Sequence, residues 1–182
     1  MKQRLKAVAL AIGCALTVAP ACAEPVQLTP LDKTFTLQVL GSGGPRGYAH
    51  IGVMRVLEDA GIGVDLVVGS SVGALLGSFW AHGYSAQALD DLSQTGGPLT
   101  VFDFSLWADR GWIHGQRLQD FVNTGLNNSN IEDLPRPFIA VATRLQDKEP
   151  VFFNSGNVGG AVRASSAVHR IFSPVGIQGV EY

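Results

Sequence analysis

The chain has 182 residues and a hydrophobic fraction of 46%, enough for one domain with a sizeable core and too little for two comfortable ones. Its 13 basic and 15 acidic residues give a formal charge of −2, which offers no basic face for a nucleic acid. The same apolar content, with 22 glycines and only 15% charged residues, excludes a disordered chain and suits a globular α/β domain.

The first segment reads as a leader outside the fold. Lys2, Arg4 and Lys6 precede an apolar run from Ala7 to Val18, and Ala21-Cys22-Ala23 supplies a small-x-small cleavage pattern. Residues 1–23 are therefore predicted to be a Sec-type signal peptide, with Glu24 as the mature N-terminus. A membrane anchor is the rival reading, but the apolar run is too short to span a bilayer. A lipoprotein site at Cys22 is the weaker alternative, because Ala19-Pro20-Ala21 lacks the usual leucine. Export implies a periplasmic or secreted protein, with association to an outer membrane left open. Cleavage leaves ten basic against 15 acidic residues, a formal charge of −5, and removes both cysteines, Cys14 and Cys22. No disulfide, thiol catalysis or cysteine-bound zinc is then expected in the mature chain.

Residues 24–33 form a polar, proline-marked lead-in, and residues 34–182 make up the folded domain. Thr34 to Leu40 alternates and is rich in β-formers, a first strand. A glycine-rich loop, Gly41 to Gly47, leads into a helix whose stripe is Ala49, Val53, Val56, Leu57 and Ala60. Gly61 and Gly63 end that helix. Asp65 to Val68 is a short apolar run of the kind buried in a parallel sheet. Gly69-Ser70-Ser71-Val72-Gly73 then turns it into an apolar helix, Ala74 to Ala81. Strand, loop, helix, strand, elbow and helix in this order predict a right-handed parallel α/β sheet. Further helices are expected at Ser85 to Ser93, Gly115 to Val122 and Val158 to Ala167, and a strand pair at Phe138 to Thr143 and Pro150 to Phe153.

Chemistry concentrates in the elbow. Gly69-x-Ser71-x-Gly73 places a serine at a tight strand-to-helix turn, where glycines two positions away let strand and helix approach. Ser71 is the candidate nucleophile, and Gly69 and Gly73 the elbow glycines. The helix that follows turns its N-terminal amides and positive dipole end toward a reacting carbonyl. A chance serine in an ordinary glycine-rich turn is the competing reading, and the strand before it and helix after it favour the elbow. A serine hydrolase also needs amides aimed at its oxyanion, and Gly43 and Gly44 are placed to supply them. Pro45 cannot donate. Arg46 either fixes the loop by binding its carbonyls or meets a lipid phosphate, and Gly47 supports the loop. Dinucleotide binding fits this loop poorly: three positions after Gly43, where the fingerprint needs its third glycine, the chain has Arg46.

The stretch from Ser42 to Val53, SGGPRGYAHIGV, together with Gly69 to Gly73, resembles the oxyanion and serine motifs of patatin-like phospholipases. Pro150-Val151-Phe152 and Arg163-Ala164-Ser165-Ser166-Ala167 are similar to later blocks of that domain, so the resemblance covers roughly Phe35 to Tyr182. It implies a three-layer α/β/α fold with a mainly parallel sheet, and hydrolysis of fatty-acyl esters of lipids or phospholipids by a serine–aspartate dyad, with no metal and no cofactor. Two positions depart from the family pattern. Ser42 replaces its first glycine, and His169-Arg170 stands where the family often has proline and glycine.

The dyad's base is absent. In this family the aspartate precedes a glycine, and no Asp-Gly pair occurs in the chain. The catalytic aspartate is therefore expected beyond residue 182, and the domain is read as incomplete at its C-terminus, leaving apolar surface from Ile171 to Val180 exposed. His50, His82, His114, His169 and Asp147 are the substitutes available, each better explained as a structural, surface or turn residue. The aromatic run from Val101 to Trp107, with Trp112, reads either as peripheral membrane contact or as a small core cluster under a loop, the second being preferred. Two functions remain: an exported serine lipid acyl hydrolase, or a non-catalytic remnant that binds lipid or is inert.

Overall fold

In the computed structural model, residues 35–100, 113–169 and 171–182 are described. The segment expected to be a signal peptide, the lead-in and the aromatic run from Val101 to Trp112 lie outside the described residues, so no reading of them meets a structural observation.

Strand β1 (Leu37–Leu40) leads through a 3-10 turn (Gly44–Tyr48) into helix α1 (Ala49–Asp59). Strand β2 (Leu66–Gly69) passes directly into α2 (Val72–His82), followed by α3 (Ala86–Thr100) and α4 (Gln116–Gly125). Strands β3 (Phe138–Thr143) and β4 (Pro150–Phe153) precede α5 (Val158–Ser166). A small hairpin, β5 (Gly176–Ile177) and β6 (Val180–Glu181), comes last.

The main sheet has the order β1-β2-β3-β4. Its first three strands are parallel, with Leu40 opposite Gly69 and Gly69 opposite Ala140, and β4 returns antiparallel, with Phe152 opposite Val141. The expected parallel α/β sheet is thus present, and β3 and β4 have the bounds read from sequence. Helix α2 is apolar nearly all round, because it packs on three strands and four helices at once. Leu40, Val67, Phe138 and Ala140 form the sheet's buried face beneath α2 and α5. Gly77 of α2 lies against Val67, Leu40 and Phe138, a distance a side chain would enlarge.

Two expectations need correction. The expected stripe of α1 is mostly not its buried side: Val53 and Val56 are 48% and 65% exposed, Leu57 alone of the stripe packs half-buried on the core, and Ile51 and Met54 are the buried residues. The helix is turned so that Ile51, Met54 and Glu58 share one side. Glu58 accepts the Trp80 indole N–H at 2.8 Å and the Ala86 amide at 3.0 Å, bonds that go with this rotation. The segment from Ile171 to Val180 is also not uniformly exposed, because Phe172 and Val175 are buried. Ile171 stays exposed, and further exposed apolar surface lies on the second face of the sheet, where Leu37, Val39 and Phe152 point to solvent.

Candidate active site

The elbow forms where β2 ends. Ser71 has φ 54 and ψ −121, a conformation few non-glycine residues adopt. It belongs to neither element: the ladder from β1 ends with the Ser70 amide on the Leu40 carbonyl, and α2 starts with the Leu75 amide on the Ser71 carbonyl. Such a residue persists only when its surroundings over-determine it.

Three glycines make room for it. A Cβ on Gly69 would overlap the Gly73 carbonyl and sit 2.6 Å from Ala74 Cα. One on Gly73 would overlap the Leu40 carbonyl oxygen and sit 2.8 Å from that of Gly41. One on Gly47 would overlap Val72 Cγ1, so this glycine seats the oxyanion loop directly on the elbow. The sequence expectation of a close strand–helix approach is met at the atomic level.

Gly44 has φ 52, in the left-handed region that glycine enters without strain. Gly43 precedes the 3-10 turn as its cap, and Pro45 follows in its first positions. The amides of Gly43 and Gly44 open this turn and have no acceptor among the described residues. Arg46 helps through its backbone, donating its amide to the Gly43 carbonyl at 3.2 Å. Its side chain is exposed and binds no loop carbonyl among the described residues, so the first of its two readings is not seen. Loop support comes instead from His50, whose Nε2 is 2.9 Å from the Gly41 carbonyl, and from the Ser42 hydroxyl, 2.9 Å from that of Ser70.

Ser71, Gly43 and Gly44 open into one cavity of about 890 Å³. Leu75, Leu118, Ile113, Ile171 and Phe172 give it an apolar wall, which suits a fatty-acyl chain. Tyr48 also lines it, and burial raises its phenol pKa above the usual value, so the ring stays neutral. Of the five substitute bases, His169 lines the cavity and the other four do not. Asp147 holds a turn, accepting from Arg144 at 2.9 Å and from the Glu149 amide at 3.2 Å. Among the described residues, no side chain hydrogen-bonds Ser71 Oγ.

One participant escaped the sequence reading. Ser165 of α5 accepts the Ser71 amide N–H at 2.8 Å across 94 residues of chain. Its block was visible as a family-like motif, but no local pattern says which of its residues meets the elbow.

A family model described as patatin-like phospholipase matches residues 39–182. An uncharacterized NTE family protein of Mycobacterium tuberculosis is 36% identical over 146 residues, covering 77% of this chain and 39% of that protein. Lysophospholipase nte1 of Aspergillus fumigatus is 30% identical over 142 residues, 75% of this chain and 9% of the fungal protein. Among solved structures, ExoU of the type III secretion system of Pseudomonas aeruginosa, in complex with SpcU, aligns with a TM-score of 0.58 at 17% identity. That alignment covers 72% of this chain and 38% of ExoU. The chain thus spans about two fifths or less of the length of these relatives.

Proposed function

This chain belongs to the patatin-like phospholipase family, and from that premise we propose that it carries the nucleophile and oxyanion hole of a serine lipid acyl hydrolase. The observation that carries this reading is Ser71 at φ 54 on a strand-to-helix elbow, sharing an apolar cavity with Gly43 and Gly44, whose amides have no acceptor among the described residues.

In the proposed reaction an acyl ester enters with its chain along the apolar wall. Ser71 Oγ attacks the carbonyl carbon as a base takes the hydroxyl proton. The carbonyl π electrons move to oxygen, and the Gly43 and Gly44 amides stabilise that oxyanion together with the N-terminal end of α2. Collapse expels the alcohol, protonated by the base, and leaves an acyl-serine. Water, deprotonated by the same base, hydrolyses this ester and restores Ser71. The base is proposed to be an aspartate supplied from outside these 182 residues, giving a Ser–Asp dyad; the relatives' greater length makes room for it. Lysophospholipid or phospholipid esters are the proposed substrates, as the fungal relative's name suggests.

A second reading, a lipid-binding protein without turnover, is favoured by one observation: no described side chain hydrogen-bonds Ser71 Oγ. A fluorophosphonate probe and a lysophospholipid turnover assay on the full-length natural protein separate the two. Ester turnover with labelling, both abolished by Ser71→Ala, is the outcome expected of the hydrolase. Lipid binding without labelling or turnover would establish the second reading.

A further inference from the structure

The hydroxyl of Ser165 stands where three elements meet. It lies in the last turn of α5, within reach of the elbow and of β3. Its Oγ accepts from the Ser71 amide at 2.8 Å and donates to the Val141 carbonyl of β3 at 2.6 Å. A hydroxyl has one proton. Because an amide only donates and a carbonyl only accepts, both bond directions are determined, and the hydroxyl's one proton is committed to Val141.

The bond matters because of the residue it holds. The Ser71 carbonyl is secured by the Leu75 amide of α2. Among the described residues its amide has no backbone partner, since at φ 54 it points away from both the ladder and the helix. Ser165 is the group that fixes this other end. We infer that Ser165 is a positioning residue, which holds Ser71 in its left-handed conformation and so keeps the Ser71 hydroxyl turned into the cavity. This inference rests on the proposed role of Ser71 as nucleophile. With the Ser165 hydroxyl removed, the amide loses its acceptor, and relaxation of φ swings Cβ and Oγ away from the oxyanion loop. The Val141 carbonyl is released in the same step, which loosens the elbow against β3.

The test measures fluorophosphonate labelling and ester turnover of the full-length natural protein and its Ser165→Ala and Ser165→Thr variants. Ser165→Ala should lower kcat and the limiting labelling rate by roughly 10- to 100-fold, the scale of an ångström-sized misplacement. KM should stay within about twofold, and labelling should still reach one probe per folded chain. Ser165→Thr, which keeps the hydroxyl, should recover most of the rate. A purely structural serine would lower the fraction of chains that label without changing the rate of those that do, and that result overturns the inference. So does a folded Ser165→Ala with wild-type rates. Should Ser71→Ala still label, the nucleophile assignment itself fails and this inference with it. If Ser165→Ala does not fold, amide hydrogen exchange at Ser71 in the unsubstituted protein decides. Protection supports the bond, and exchange at a free-loop rate overturns it.

Discussion

Replacing Gly73 by alanine places one methyl group where the backbones of α2 and β1 meet directly. The new Cβ would overlap the Leu40 carbonyl oxygen and lie 2.6 Å from the Leu40 carbonyl carbon. Ordinary van der Waals contact begins at 3.4 Å, so clearing the carbonyl carbon alone moves α2 from β1 by about 0.8 Å, and clearing the closer carbonyl oxygen moves it further. The atoms in the way are backbone, and no side-chain rotation relieves them. Overpacking of this kind typically costs about 1–3 kcal/mol. For a domain of this size each kcal/mol lowers Tm by roughly 2–4 °C. The displacement also moves Ser71 relative to Gly43 and Gly44, and a shift near 1 Å costs on the order of 10²-fold in rate. Gly52→Ala serves as the control. Gly52 is exposed in the middle of α1 with nothing within 4 Å of its ideal Cβ. Alanine there should raise stability by about 0.5–1 kcal/mol and leave the chemistry alone. Thermal melts and fluorophosphonate labelling rates on the full-length protein compare the two variants. A Gly73→Ala protein with wild-type Tm and labelling rate would refute the reasoning.

Gly44→Val forces a β-branched residue to φ 52 and turns a candidate oxyanion amide away, so labelling and turnover should fall by roughly 10²–10³-fold. Circular dichroism must show the variant folded, and a folded Gly44→Val with full activity would place the oxyanion hole elsewhere. The raised pKa of Tyr48 links stability to alkaline pH. Below the unfolded value of about 10 its contribution is fully present, and it is lost as pH rises through the higher folded value, because the unfolded chain ionises first. Urea midpoints measured from neutral to strongly alkaline pH should fall more steeply for wild type than for Tyr48→Phe. Equal slopes would show that burial of this phenol has no thermodynamic consequence.

Local features of the chain were the legible ones. Strands β3 and β4 and the helices α1, α2 and α5 follow from runs of residues whose period and flanking glycines identify them. Helix α3 continues to Thr100, past the expected end at Ser93, through a Gly-Gly-Pro stretch that argues against helix on propensity. The rotation of α1 was misread because its apolar residues lie on more than one side. Which side is buried is decided by what packs against it, where Ile51 and Met54 join the core and Glu58 meets Trp80 and Ala86, contacts that sequence periodicity does not carry.

By itself the sequence determined the elbow and its loop, because a serine between glycines at two-residue spacing, set between a strand and a helix, is a steric requirement written locally. It determined equally that no Asp-Gly pair exists among these residues. Tertiary structure decided what converges on the elbow: Ser165 on the Ser71 amide, His50 on the Gly41 carbonyl, and the apolar wall drawn from α2, α4 and the segment around Phe172. It also decided that one sheet face is packed while Leu37, Val39 and Phe152 of the other stay exposed. The physical reason is range. Backbone sterics and hydrophobic period act over a few residues, whereas a hydrogen bond across 94 residues exists only after the sheet has brought its partners together.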